Sequence, residues 1–308
     1  MSRRTAIIVL LIAAAAIAVR AGLRERASRI PAQIWGHHGV MPGDFVRPRA
    51  ATVGQDGRIY IVDFTPRIQT YHADGTYAGL TWQTPDYRNG RPSGLGTGRD
   101  GSILVCDSHY HCLRIYSPEG ELLKTFGGES GTQPGQFGYI SDCVQDEDGF
   151  YYLSEFGQND RITKLDAEGR FVSTWGSSGT EPGQFQRLRA LAFGPDGLIY
   201  AADACNHRIQ VFTKAGKLVR TFGSIGQQPG ELSYPYDLCF NRRGELYVVE
   251  YGNMRVQKFT AKGNTLGTWG GPGAGPGQFA TPWAVFVDQY DRVQVVDTDN
   301  HRVQRIDF

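Results

Sequence analysis

Nowhere does this chain hold an apolar run of the roughly 20 residues that a transmembrane helix needs; its unbroken apolar stretch Ala6–Val19 falls short. It also lacks charge of one sign. A net charge of +1 steers the molecule toward neither nucleic acid nor anionic lipid, so a charged partner must meet a local patch. The common catalytic signatures are missing: no G-x-S-x-G elbow, no H-E-x-x-H, no P-loop. Cysteine is scarce and odd in number, five in all, with no haem-attachment or paired C-x-x-C zinc pattern. A disulfide framework is therefore excluded. Cys106 and Cys112 flank a hairpin turn and are placed to pair across it; the alternative is that all five are small core residues. With no cysteine ahead of Cys106, lipid attachment at a processed N-terminal cysteine is excluded as well.

Glycine and proline, by contrast, are abundant, 40 and 15 in 308 residues, beside plentiful apolar and aromatic side chains. That mixture fits turn-rich β structure rather than disorder. The first 29 residues stand apart. Ser2, Arg3 and Arg4 precede the apolar stretch, and Arg20, Arg24, Arg26 and Arg29 follow it. The pattern matches a secretory signal, cleavable after Ala18 or Ala21, or an uncleaved tilted anchor with a basic stalk. An apolar helix without targeting value is the third alternative. The first two place residues 30–308 outside the cytoplasm, exported or anchored, with the membrane as a partner of the N-terminal segment.

Internal repeats dominate the rest. Pro-Gly-Gln-Phe occurs at Pro134–Phe137, Pro182–Phe185 and Pro276–Phe279, with variants at Pro42–Phe45 and Pro229–Leu232. The motifs end at 45, 137, 185, 232 and 279, a period of 47 or 48 with one gap of 92, which is two periods. Pro85-Asp86-Tyr87 is the degraded copy in that gap. Each period holds a tight turn such as Asp56-Gly57 or Asp196-Gly197, a strand ending in an acid, a third strand, a second Gly turn and a fourth strand ending in Thr-Phe-Gly or Thr-Trp-Gly. Four short antiparallel strands at this period describe a propeller blade. A solenoid would need capping repeats, and none is visible. The last repeat stops after its third strand at Phe308, while Ile30–Gly36 reads like a fourth strand. The N-terminal strand thus completes blade six, and an all-β, six-bladed propeller over 30–308 is expected.

The run before each third strand reads Asn206-His207-Arg208 and Asn300-His301-Arg302, with a weaker copy at Asn253-Met254-Arg255. With Pro-Gly-Gln-Phe and the blade length, this resembles the NHL-repeat family across residues 30–308. The resemblance implies the six-bladed fold. For function it implies a range, from peptide-amidating lyases to RNA- and protein-binding modules and receptor sensor domains.

Features present in nearly every blade build blades. The acids Asp63, Asp107, Glu155, Asp203, Glu250 and Asp297 are expected to pair with Arg67, Arg161, Arg208, Arg255 and Arg302, Cys112 standing where blade two would have its arginine. His111, His207 and His301 read as turn residues. Positions that differ between blades carry specificity. At the start of the inner strands stand Arg49-Ala50, Ser93-Gly94, Ser141-Asp142, Arg189-Ala190, Tyr236-Asp237 and Trp283-Ala284. Arg49, Ser93, Asp142, Arg189, Tyr236, Asp237 and Trp283 are the candidate ligand residues, lining one shallow, mixed-charge pocket at the channel mouth.

The expected function is a binding domain for a protein, peptide or small-molecule ligand at the cell envelope. The alternative is a metal-assisted lyase or hydrolase, amidating-lyase-like or lactonase-like, with its site at the same mouth. The resemblance implies zinc histidines at the inner-strand starts of amidating lyases, and none of the six first positions is histidine. Asp142 and Asp237 remain as calcium ligands or general bases, so no cofactor is expected, with calcium the one left open. RNA binding through Arg49, Arg187, Arg189, Arg242 and Arg243 is the weakest reading, given the neutral balance.

Overall fold

A computed structural model describes residues 30–157 and 159–308. The expected signal or anchor at 1–29 lies outside the described residues. Among those described, no helix is long and apolar enough to cross a membrane.

Six four-stranded antiparallel sheets make up the described residues. Their inner strands are Ala50–Val53, Gly94–Thr97, Tyr139–Gln145, Leu188–Phe193, Pro235–Phe240 and Pro282–Val287. In blades one to five the strands follow chain order from the channel outward; in blade six the outermost strand comes from the N-terminus. Gln33–Trp35 pairs antiparallel with Arg302–Ile306, Trp35 opposite Val303. The expected closure is what forms, and it leaves no blade with three strands.

Local chemistry explains the blades. At the first turn the Asp56 carboxylate accepts from the Arg58 N–H (2.9 Å), and Gly57 takes the positive φ of 78° that the turn requires. The Pro-Gly-Gln-Phe linker and the Asn-His-Arg run turn out to be two halves of one device. Arg208 sits against Asp203 (2.8 Å) and donates onward to the carbonyls of Thr180 (2.7 Å) and Gln184 (2.9 Å) in the linker. Asn206 bridges Asp203 and the Gly179 carbonyl, while the Gln186 N–H donates back to Asp203 (2.8 Å). The motif phenylalanines Phe45, Phe137, Phe185 and Phe279 are buried beneath. Gln69, Gln210, Gln257 and Gln304, two residues past each arginine, also clamp the linker, accepting from the Gly N–H and donating to a linker carbonyl.

The acid–arginine pairs form in all five blades where both partners were expected. In blade two the arginine is displaced rather than lost. Arg114, two residues beyond Cys112 and on the same strand face, reaches Asp107 at 2.9 Å. That blade's degraded linker has a cost. The other five acids each accept a backbone N–H from their linker, whereas Asp107 Oδ1 is buried with no partner, and burial raises its pKa.

Cys106 and Cys112 do not pair. Cys106 stands opposite Leu113 and Cys112 opposite Asp107, so the alternation along the strands sends the two thiols to opposite faces. Cys106, Cys112 and Cys143 are buried; Cys205 and Cys239 are partly exposed. His111, His207 and His301 occupy left-handed turn positions, and their Nδ1 atoms bond backbone of the following linker at Gly138, Tyr234 and Arg47.

Candidate functional site

The six inner strands begin at one end of a central channel, a cavity of 390 Å³. Arg49, Ser93, Asp142, Arg189, Tyr236, Asp237 and Trp283 all line it. The cavity is deeper than the shallow pocket expected, because its walls continue down the strands to Val53, Thr97, Gln145, Phe240 and Val287.

These seven residues divide into stitches and walls. The Ser108 hydroxyl donates to the Ile140 carbonyl of blade three (2.6 Å), and Ser93, 3.3 Å from the same carbonyl, shares a hydrogen bond with Ser108. Neighbouring Ser141 donates to the Leu188 carbonyl of blade four (2.8 Å). Asp142 accepts from its own neighbour Cys143 N–H (2.8 Å) and, across the blade boundary, from Leu191 N–H (2.8 Å). Asp237 repeats this between blades five and six, accepting from Leu238 (2.8 Å) and Val285 (2.9 Å). Burial pushes the Asp142 carboxyl up to about 6 against the pull of its two backbone donors. Asp237 rises to about 7, through burial first and the Asp142 charge second.

The walls are aromatic and cationic. Tyr236 stacks on Tyr251 (4.7 Å, 19°) and meets Trp283 edge-on (5.7 Å, 65°). The Arg49 guanidinium lies over Phe64 and over Trp283, 4.8 Å from each centroid. Arg189 lies over Tyr236 (4.6 Å), Trp283 (5.4 Å) and Phe156 (5.7 Å). Arg91, from the degraded blade-two linker, covers Phe64 at 4.3 Å. Neither Arg49 nor Arg189 joins an ion pair among the described residues, and Arg189 Nε is buried without a hydrogen-bond partner. Burial lowers both arginines; Arg49 falls to about 10, helped by Arg47, Arg189 and Arg91.

Phe64, Phe156, Tyr251 and Arg91 were missed by sequence reasoning, although a signal existed. The residue after each strand-ending acid runs Phe64, Ser108, Phe156, Ala204, Tyr251, Thr298, aromatic and small in alternation around the ring. The five arginines considered for RNA do not share a surface. Arg49, Arg187 and Arg189 gather at the mouth, while Arg242 and Arg243 lie in the turn at the far end of the Pro235–Phe240 strand. Among the described residues no three His, Cys, Asp or Glu side chains gather to hold a metal ion.

Comparison with known proteins bears on fold first. The NHL repeat model matches residues 185–212 and 232–259, parts of blades four and five. NHL repeat-containing protein 3 of Mus musculus is 26% identical over 175 residues, 52% of this chain and 49% of that protein, so the match spans about half the relative's length. Among solved structures, a streptogramin B lyase superposes with TM-score 0.64 at 14% identity, covering 89% of this chain and 96% of that one. A gluconolactonase of Xanthomonas campestris gives TM-score 0.63 at 14% identity, with 85% and 87% covered. A catalytically inactive variant of the virginiamycin B lyase of Staphylococcus aureus, solved with quinupristin, gives 0.62 at 15%, with 89% and 88% covered. At such identities the likeness is one of fold.

Proposed function

As this is an NHL-repeat chain closed into a six-bladed propeller, we propose that it is a ligand-binding domain whose channel mouth captures a small molecule or a short peptide end. One observation carries the reading. The variable positions of all six blades converge on a single open cavity walled by Tyr236, which is backed by Tyr251, by Trp283 and by two arginines that lie over these rings. Its 390 Å³ lies in the range of small-molecule sites. Blade-to-blade bonds through Ser141, Asp142 and Asp237 hold those walls rigid, so little ordering entropy is lost on binding. A thermal-shift screen against small molecules tests it. Ligands should raise the melting temperature of the native protein and fail to do so for Trp283→Ala and Tyr236→Ala. Equal stabilisation of those variants would move the site elsewhere.

The same proposal sets the domain at the cell envelope, on the basic–apolar–basic pattern of residues 1–29. Protease accessibility in intact cells against lysed cells tests it; protection in intact spheroplasts would place the propeller inside.

A lyase or hydrolase is the second reading. Two channel carboxyls at about 6 and about 7 suit proton transfer near neutrality, and the structural neighbours include enzymes named lyase and gluconolactonase. It is the weaker one, since each carboxylate oxygen of Asp142 and Asp237 already accepts a backbone N–H.

A further inference from the structure

We infer that the channel mouth is an oxyanion receptor: it takes a small, flat ligand bearing a carboxylate or phosphate, holding the charge on Arg49 and Arg189 and the flat body against Tyr236 and Trp283. The inference rests on the channel mouth being the ligand site.

The argument begins with how this fold treats arginine elsewhere. Arg67, Arg114, Arg161, Arg208, Arg255 and Arg302 are all nearly buried, and every one is tied to an acid at 2.6–2.9 Å. Arg189 is just as buried, 7% exposed, and has no such partner among the described residues. An isolated buried cation costs several kcal/mol. A fold that pairs its other buried arginines has left this one facing a cavity.

Orientation gives the ligand its shape. Aromatic rings from blades three, five and six lie around Arg189, and rings from blades one and six lie around Arg49. Stacked in this way, a guanidinium offers its N–H edge, which matches the planar fork of a carboxylate or two oxygens of a phosphate. Asp142 and Asp237 attract Arg189 through their charge, but among the described residues neither closes an ion pair with it. Asp142 and Asp237 spend their oxygens on backbone N–H groups of four different residues. Asp299 is engaged by Arg47 (2.8 Å), and Asp160 by Ser178 and the Arg187 N–H. Arg49 is lowered by three neighbouring arginines besides burial, as expected of a cluster short of anions.

Isothermal titration with benzoate, phenyl phosphate, inorganic phosphate and neutral benzamide tests the proposal, and the first two probes separate the carboxylate from the phosphate source. Benzoate or phenyl phosphate, or both, should bind at least tenfold tighter than benzamide, and Arg189→Met should remove that preference. Inorganic phosphate binding more weakly than phenyl phosphate would show the aromatic walls at work. A structural role for Arg189 would make Arg189→Met less stable. A receptor role makes it equally or more stable when empty, because an unpaired buried charge has gone. Arg49→Met provides the same comparison at the better-exposed site, and Arg189→Lys should keep part of the anion affinity. Benzamide binding as tightly as the anions, with loss in Tyr236→Ala, would overturn the oxyanion inference and leave the ligand site standing. Anion binding that survives both Arg189→Met and Arg49→Met would also overturn it. If no probe bound and the channel variants changed nothing, both readings would fall.

Discussion

Replacing Trp35 by alanine attacks the seam that joins the two ends of the chain. Trp35 lies on the three-residue strand that completes blade six and is 7% exposed. Its ring packs against Tyr71 (5.1 Å) and Phe45 (5.9 Å), both of blade one and its linker, so it ties blade six to blade one as well as to its own sheet. It also fits over a bare turn, since a Cβ on Gly75 would come 2.3 Å from Trp35 Cγ. Removing a buried tryptophan side chain costs about 3–5 kcal/mol. In addition, the indole N–H donates to Gln294 Oε1 (2.9 Å), and a buried acceptor left unpaired costs about 1–3 kcal/mol. The sum is about 4–8 kcal/mol, much of the stability of an ordinary domain. Ile34→Ala is the control: the same strand, 38% exposed, with an expected loss under about 1 kcal/mol. Guanidinium unfolding followed by far-UV circular dichroism measures both. A Trp35→Ala loss below about 1.5 kcal/mol, or one equal to that of Ile34→Ala, would refute ring closure through this strand.

Other outcomes follow from the channel and the blades. Asp142 and Asp237 titrate at about 6 and about 7 when folded, above the ordinary carboxyl value near 3.9. The native state therefore holds more protons than the unfolded chain between these values, and stability falls as pH rises from about 5 to 8, by on the order of 2–4 kcal/mol. The double variant Asp142→Asn, Asp237→Asn should lose most of that slope in denaturation midpoints at pH 5, 6, 7 and 8; an unchanged slope would show that these carboxyls do not cause it. The paired comparison matters because burial lowers His109, His207 and His301, which pushes stability the opposite way below about pH 6. In blade four, Arg208→Ala takes the ion-pair partner from the fully buried Asp203 and removes donors from three linker carbonyls, for a loss of about 3–5 kcal/mol by urea unfolding. Arg114→Ala breaks one ion pair and, among the described residues, frees no linker carbonyl, so it should cost less; a larger loss there would show that the acid pair and not the linker bonds carries the stability.

The sequence by itself determined the repeat, its period, the number of blades, the ring closure through residues 33–35 and the residues that start the inner strands. It could do so because each blade solves one local problem with the same residues: glycine for the turns, an acid and an arginine for the linker, an aromatic on the outer strand. Copying that solution about every 47 residues writes it into the sequence as a period. It also showed which positions break the pattern. What those positions do was decided only by the tertiary structure, since the channel is made by segments far apart in the chain that meet once the ring is closed. Ser93, Asp142 and Asp237 look like ligand groups in the sequence, and the neighbouring blade turns them into stitches. Arg114 replaces the arginine missing at Cys112 because strand alternation puts it on the same face. Arg242 and Arg243 part company with Arg189 because a strand of six residues carries them to the other end of the channel. The third-strand arginines find their acid within their own blade, whereas the surroundings of an inner-strand arginine come from other blades. That is why the unpartnered Arg189, on which the ligand chemistry turns, had no signature in the order of the residues.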